Sequence, residues 1–142
     1  MSNEAALAFQ YINTTLRADS ALMAASTGGI WQGTADIGVT GPYTSFGQQS
    51  GQDSLTSAAK RVMARMLLQI VGVGPDAQYA ALVVIANRID VLFGDVKNVG
   101  LPGGGVMLTS YREQPLALDI GLVAGASWSK LGGLYHIDLQ SP

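Results

Sequence analysis

Residues 60–73 read KRVMARMLLQIVGV, and this stretch decides the fold. Its even positions from 62 to 70 are all apolar, which is the two-residue period of a half-buried strand. A helix is also possible, because Arg61 and Arg65 stand four residues apart and Ala, Met, Leu and Lys are good helix formers. The residues alone leave both periods open. The stretch contains no histidine, cysteine or carboxylate, so it serves packing and pairing rather than chemistry.

Composition indicates one domain with much of its surface meant for contact. A chain of 142 residues buries roughly 70% of its unfolded surface as one domain. Cysteine is absent, which excludes disulfides and thiolate metal sites and makes the cytoplasm a sufficient environment. Charged residues make up only 13% of the chain and the net charge is -2, both low for a soluble monomer.

The sequence carries no sign of export or of a membrane span. The start MSNEAALAF lacks the basic segment of a signal peptide. The longest apolar run, residues 80–86, is far shorter than the about 20 residues that a spanning helix needs. We therefore expect a soluble protein that is not exported and does not contact a membrane.

Two amphipathic helices are predicted, over residues 3–17 and 76–93. Ser2 or Asn3 can cap the first helix, and Gly94 ends the second. The stripe expected to face the core in the first helix is Ala5, Ala6, Phe9, Ile12, Thr15 and Leu16. The corresponding stripe in the second is Tyr79, Leu82, Val83, Ala86, Ile89 and Phe93.

The remaining chain is expected to consist of short strands and long loops. Short strands are predicted at residues 30–32, 43–47, 106–111 and 134–139. Residues 28–53, 94–105 and 112–130 are rich in glycine, proline or polar residues and are expected to be loops outside those strands. Loops of such length usually bind something. The fold class is therefore α+β, a single domain over residues 1–142 with an antiparallel or mixed sheet packed against two main helices.

One glycine motif suggests a nucleotide site. Residues 72–77 read GVGPDA, which fits the G-x-G-x-x-A pattern of dinucleotide-binding proteins, and Asp95 follows about 20 residues later. Pro75 removes a backbone N–H that pyrophosphate would need, and Asp95 directly follows a helix rather than a second parallel strand. A turn from strand to helix is the preferred interpretation, and a small dinucleotide-binding protein remains a distant alternative.

Catalytic and nucleic-acid functions have little support. His136 is the only histidine, and with Asp138 it could orient toward Ser127, but no G-x-S-x-G motif surrounds that serine. The ten acidic residues are scattered without metal-ligand spacing. Basic residues cluster only at positions 60–65 of an acidic chain. We therefore expect no enzymatic activity, no cofactor, no metal and no specific nucleic-acid binding.

The chain contains several segments whose order resembles the tail-terminator, or tail-completion, proteins of long-tailed bacteriophages. These segments are PYTSF at 42–46, KRVMARMLLQIVGVG at 60–74, YAALVVIANRIDVLFG at 79–94, SYREQP at 110–115 and WSKLGGLY at 128–135. The most specific positions are Ala86, Arg88, Ile89, Asp90 and Leu92 of the second helix and Gly132, Gly133 and Tyr135 of the last strand. The resemblance covers most of the chain.

The resemblance implies a structural role in the virion. Proteins of this family form a ring, expected here to be hexameric, that caps the head-proximal end of the tail tube and ends its polymerisation. The implied partners are the tail-tube protein and the neck or head-completion proteins, with genomic DNA passing through the lumen without specific binding. The protein would reside in the neck of the virion after assembly in the host cytoplasm. The resemblance also implies that residues 60–73 form a strand, and a head-completion adaptor of the neck is the alternative function.

The assembly surface is predicted from exposed cations and from aromatic residues in or near loops. Such aromatic residues either cover the local core or anchor a partner, and the sequence leaves both roles open. The candidate interface residues are Tyr43, Phe46, Arg61, Arg65, Arg112 and Trp128. Arg61 and Arg65 are expected to mark the assembly face.

Overall fold

Helices occupy the beginning and the middle of the chain, and strands make up most of the rest. The computed structural model describes residues 4–33, 35, 38–56, 61–101, 104–123 and 125–140. The elements are α1 (Glu4–Ala18), α2 (Ser20–Ala25), β1 (Ile30–Gln32), β2 (Tyr43–Thr56), β3 (Arg61–Pro75), a 3₁₀ turn (Asp76–Gln78), α3 (Tyr79–Phe93), β4 (Asp95–Gly100), β5 (Val106–Val123) and β6 (Ala126–Gln140). The predicted α+β class with two main helices is confirmed.

The described strands form a curled six-stranded sheet in the order β1-β2-β3-β6-β5-β4. β1 runs parallel to β2, and the other pairs are antiparallel, so the sheet is mixed. Helix α3 packs on the central strands β3 and β6, and α1 packs beside it toward β1 and β2. Because the helices cover one face only, we call this the helix face and the other the outer face.

Strand β3 has the two-residue period predicted from its even positions. Met66, Leu68 and Ile70 are at most 2% exposed and lie in the main core on the helix face. Arg65, the residue before Met66, points outward and is exposed. The alternative interpretation of this stretch as a helix is therefore wrong, and the strand predicted from the resemblance is confirmed. The side chains of residues 61–64 and all of residue 60 lie outside the described part.

The glycines at the end of β3 serve helix packing. A Cβ added to Gly72 would lie 2.8 Å from Cγ2 of Ile85, and one added to Gly74 would lie 3.1 Å from Cδ2 of Leu82. Both glycines lie within the strand and face α3, so they allow the helix to approach the sheet closely. Packing against α3 therefore accounts for the G-x-G spacing. The chain then turns from β3 into α3, as the preferred interpretation predicted.

Each main helix buries a stripe that differs in part from the predicted one. In α3 the buried residues are Leu82, Ile85, Ile89 and Phe93, whereas the predicted Tyr79 and Val83 are exposed. In α1 the buried residues are Ala8, Tyr11, Ile12 and Leu16. The apolar residues surround most of α3, so the sequence indicates a helix without selecting its buried side. Helix α2 was not predicted.

The predicted loops are largely strands. Residues 94–105 contain β4, residues 28–53 contain β1 and most of β2, and residues 112–130 form the distal half of a β5–β6 hairpin. The pairing of β5 shifts register between Arg112 and Gln114 and again between Asp119 and Gly121. Each bulge inserts a residue that breaks the two-residue period. Proline, which usually indicates a loop, is tolerated on an unpaired strand edge. For these two reasons residues 112–130 show no sustained strand period in the sequence.

An ion pair joins the helical layer. The carboxylate of Asp19 accepts the backbone N–H of Leu22 at 2.8 Å, which caps α2, and also accepts Nε of Arg88 at 3.1 Å. Arg88 is therefore held by α3 against the start of α2. The hydrogen bond from the Arg88 guanidinium lowers the pKa of Asp19 below its ordinary value.

Replacing Asp19 is expected to change the acid stability of the fold. Because its folded-state pKa is lowered, Asp19 stabilises the fold above its unfolded pKa of about 4, and this contribution is lost as the pH falls through the folded value. Asp19→Asn keeps a capping oxygen but cannot ionise. Urea unfolding should therefore give a stability difference from wild type that shrinks as the pH falls from about 6 to about 3. A difference independent of pH would contradict this role.

Candidate assembly interface

Two of the aromatic residues predicted for the interface are buried within the single chain. Phe46 is 3% exposed and packs in the main core, with its ring centroid 5.8 Å from that of Phe9. Trp128 is 7% exposed, and its ring lies 6.3 Å from that of Tyr43. Both rings therefore cover the local core within the single chain, and the interface role of Phe46 and Trp128 stays a prediction. The alternative that such aromatics cover the local core applies to them.

The outer face of the sheet has a small core of its own. Val71, Val73 and Trp128 are buried there, with Tyr43 and Leu116 packed around them. No helix lies on this face in the described part of the chain, so the curl of the sheet and the two aromatic rings exclude the water. Burial raises the pKa of Tyr43. Tyr43 is half-buried, so it is more accessible than Trp128, the other predicted interface residue of this small core.

The predicted cations lie on opposite faces. Arg65 is on the outer face, where its Nε lies 3.7 Å from an oxygen of Asp138. Arg112 is on the helix face, where its Nη1 lies 3.6 Å from Oδ1 of Asp90. The side chain of Arg61 is outside the described part. The predicted residues therefore do not form one continuous patch, and their assembly role stays a prediction.

The positions that carry the family resemblance hold the fold together. Arg88 pairs with Asp19, and Oδ1 of Asp90 accepts the hydroxyl of Tyr135 at 3.3 Å. Ile89 is fully buried between them in α3. Burial and the nearby Asp90 carboxylate raise the pKa of Tyr135, which keeps its hydroxyl a proton donor. These residues link α3 to α2 and to β6.

The one histidine is engaged away from the serine considered with it. Nε2 of His136 lies 3.1 Å from Oε1 of Glu113, and its ring stacks on Tyr111 at 5.0 Å. Asp138 instead pairs with Arg65. Ser127 lies at the far end of β6, where it pairs with Leu122, about 30 Å along the strand. These groups therefore form no catalytic dyad or triad.

Neither a metal site nor a membrane span emerges from the described residues. Their His, Asp and Glu side chains form no group suited to hold a metal ion. Among the described helices, none is long and apolar enough to cross a bilayer.

The most exposed apolar feature is the distal half of the β5–β6 hairpin, residues 112–123 and 126–134, which we call the hairpin arm. β4 pairs only with residues 106–111 of β5, so beyond Tyr111 the outer edge of β5 has no strand partner in the described ranges. Leu118, Ile120, Leu122 and Val123 are exposed along this edge, and Leu122 is 74% exposed. Exposed apolar edge strands are prone to pair with another chain.

The second surface feature is a groove at the opposite edge of the sheet, which we call the α1 groove. It has a volume of about 560 Å³ and lies between α1 and the β1–β2 edge. Its lining includes Phe9, Asn13, Arg17, Ile30, Gln32 and Phe46. Neither feature was predicted from the sequence, although leucine and isoleucine alternate from 116 to 122 in the arm.

Comparisons with known proteins identify the fold. No family model and no curated protein match this sequence. Among solved structures, one match is a chain from the virion of a native gene transfer agent (GTA) particle, with a TM-score of 0.70. The alignment covers 99% of this chain and 100% of that chain at 17% sequence identity. The two chains therefore share one fold over their whole lengths.

Proposed function

We propose that this protein is a structural subunit of a phage-like virion that caps the head-proximal end of the tail tube as a ring. The observation that carries the proposal is the fold shared from end to end with a chain of the gene transfer agent virion. The motifs that resemble tail-terminator proteins support the narrower role. In this proposal residues 1–142 are a single tail-terminator domain, and the ring is hexameric.

The surface of the chain fits a subunit that is buried by neighbours. A ring needs two different complementary faces on each subunit. The hairpin arm and the α1 groove lie at opposite edges of the sheet and differ in shape. Exposed apolar side chains and a charged fraction of only 13% favour association over the monomeric state. The same surface carries no described arrangement suited to catalysis.

The proposed partners follow from the position of the ring. One rim contacts the tail-tube protein and the other contacts neck or head-completion proteins, which places the subunit in the neck of the virion. DNA passes through the lumen, and the net charge of -2 favours passage without tight binding. Assembly takes place in the host cytoplasm.

Electron microscopy with isolated tail tubes tests this function. Gold-labelled protein should bind one end of each tube, and tubes elongated in its presence should stop growing. Labelling along the tube, or no labelling, would contradict the terminator role. Binding to the portal side of heads instead of tube ends would identify the head-completion adaptor.

A further inference from the structure

We infer that the tip of the hairpin arm inserts into the α1 groove of a neighbouring copy of this chain. This inference rests on the proposed function, because the contact between arm and groove is the one that would close the proposed ring. The two surfaces belong to one molecule, and the contact between copies is head-to-tail.

The apolar parts of the two surfaces match. Leu122 and Val123 at the tip of the arm are 74% and 44% exposed, so both side chains project into solvent in the single chain. The lining of the groove includes the apolar side chains of Phe9, Ile30 and Phe46, of which Phe9 is half-buried and the other two are largely buried. A volume of about 560 Å³ is sufficient for several aliphatic side chains. Burying the tip there removes chiefly the exposed apolar surface of Leu122 and Val123 from water.

The charges also match. Arg17 at the rim of the groove donates to the side chain of Asn13 and to the backbone oxygen of Ile30, and has no carboxylate partner among the described residues. Asp119 on the arm accepts the backbone N–H of Gly121 at 2.8 Å and has no cationic partner within the same set. One unpaired cation and one unpaired carboxylate are therefore placed to meet across the contact. Their meeting fixes the direction of insertion and disfavours a groove-to-groove contact.

The position of the two surfaces on the sheet suits a closed ring. Phe46 of the groove pairs with Ile70 of β3. Leu118 of the arm pairs with Lys130, which pairs with Val73 of β3. The groove therefore lies level with Ile70 of β3, whereas the tip of the arm extends beyond Pro75, and the two surfaces are on opposite edges of the sheet. A contact between opposite edges joins each copy to the next head-to-tail, which is the type of interface that closes into a ring when the rotation between copies completes a circle.

Paired charge reversal in the full-length protein tests the contact. Arg17→Asp and Asp119→Arg alone should each weaken the oligomer roughly tenfold in sedimentation velocity, and the double variant should restore it. Leu122→Asp should weaken it at least as much. Val91→Asp is the matched control, because Val91 is 63% exposed on α3 away from both surfaces. Thermal melts should show that all these variants retain the fold, since the replaced residues lie at the surface.

Disulfide trapping gives a direct readout, because the natural chain contains no cysteine. Gln10→Cys on the groove side of α1 combined with Val123→Cys should cross-link copies into a ladder ending at the ring. Gln10→Cys combined with Val91→Cys should not. A wild-type oligomer that is unaffected by the charge reversals and by Leu122→Asp would overturn this contact while leaving the ring intact. A wild-type protein that never oligomerises would overturn both.

Discussion

Met66→Asp should leave the protein unfolded or insoluble. Met66 is 2% exposed in the centre of β3, and it pairs across the sheet with Ile137 in the main core. A carboxylate placed there would lie among the apolar side chains of the main core, and burying an unpaired charge costs several kcal/mol. Since domains of this size are stable by about 5–15 kcal/mol, a loss of about 5 kcal/mol is comparable to the whole stability. Soluble yield and urea unfolding measure it.

Arg65→Asp is the matched control for the direction of the strand. Arg65 is the neighbouring residue, it is exposed on the outer face, and its contact to Asp138 is a surface ion pair. We expect a change of less than about 1 kcal/mol in unfolding free energy. If Arg65→Asp unfolded the protein and Met66→Asp did not, the assignment of the two faces of β3 would be reversed.

Gly132→Val is expected to destabilise the fold by about 3 kcal/mol or more. A Cβ on Gly132 would lie 2.7 Å from Cα of Val71 and would also meet the backbone oxygen of Ile70. These are backbone atoms of the central strand, so no side-chain rotation relieves the overlap. Gly132 therefore lets β6 approach β3 closely, which gives this position of the Gly-Gly-x-Tyr segment a role in the fold.

A second glycine substitution separates this overlap from a general effect of replacing glycine in a strand. A Cβ on Gly47 of β2 has no atom within 4 Å. Gly47→Ala should therefore change stability by less than about 1 kcal/mol in either direction. Thermal and urea unfolding of both variants give the comparison, and equal losses would show that the close approach at Gly132 is unimportant.

The sequence predicted those elements whose periodicity is regular. The helix predicted over residues 76–93 corresponds to the 3₁₀ turn and α3. The alternation at Met66, Leu68 and Ile70 and the resemblance both indicated the strand β3. The fold class follows from these pieces. Sequence reasoning placed the helix stripes less well, because α3 is apolar on most of its circumference and only the sheet decides which side is buried.

The hairpin arm shows why the rest was missed. Bulges near Glu113 and Ile120 each add a residue that interrupts the alternation of side chains between the two faces. Pro115 occupies an edge where no strand needs its N–H. A window of sequence therefore reads the arm as a loop. The exposure of the arm depends on pairing between distant parts of the chain. β4 pairs with β5 only as far as Tyr111, so the remaining edge of β5 has no described strand partner.

The sequence does not show whether an aromatic residue near a loop is exposed or buried. Phe46 and Trp128 were chosen for their position near loops, but both pack within the single chain. Burial depends on partners distant in sequence, such as Phe9 for Phe46, and composition cannot supply it. Within the arm, only the alternation of leucine and isoleucine from 116 to 122 gives a strand signal in the sequence, and this short stretch includes the exposed Leu122.

Native mass spectrometry of the purified full-length protein across the micromolar range tests the proposed ring most directly. We expect one dominant closed oligomer of six copies that dissociates on dilution without a series of larger species. A protein that is strictly monomeric at every concentration, or one that forms an open series of ever larger oligomers, would contradict a ring-forming subunit.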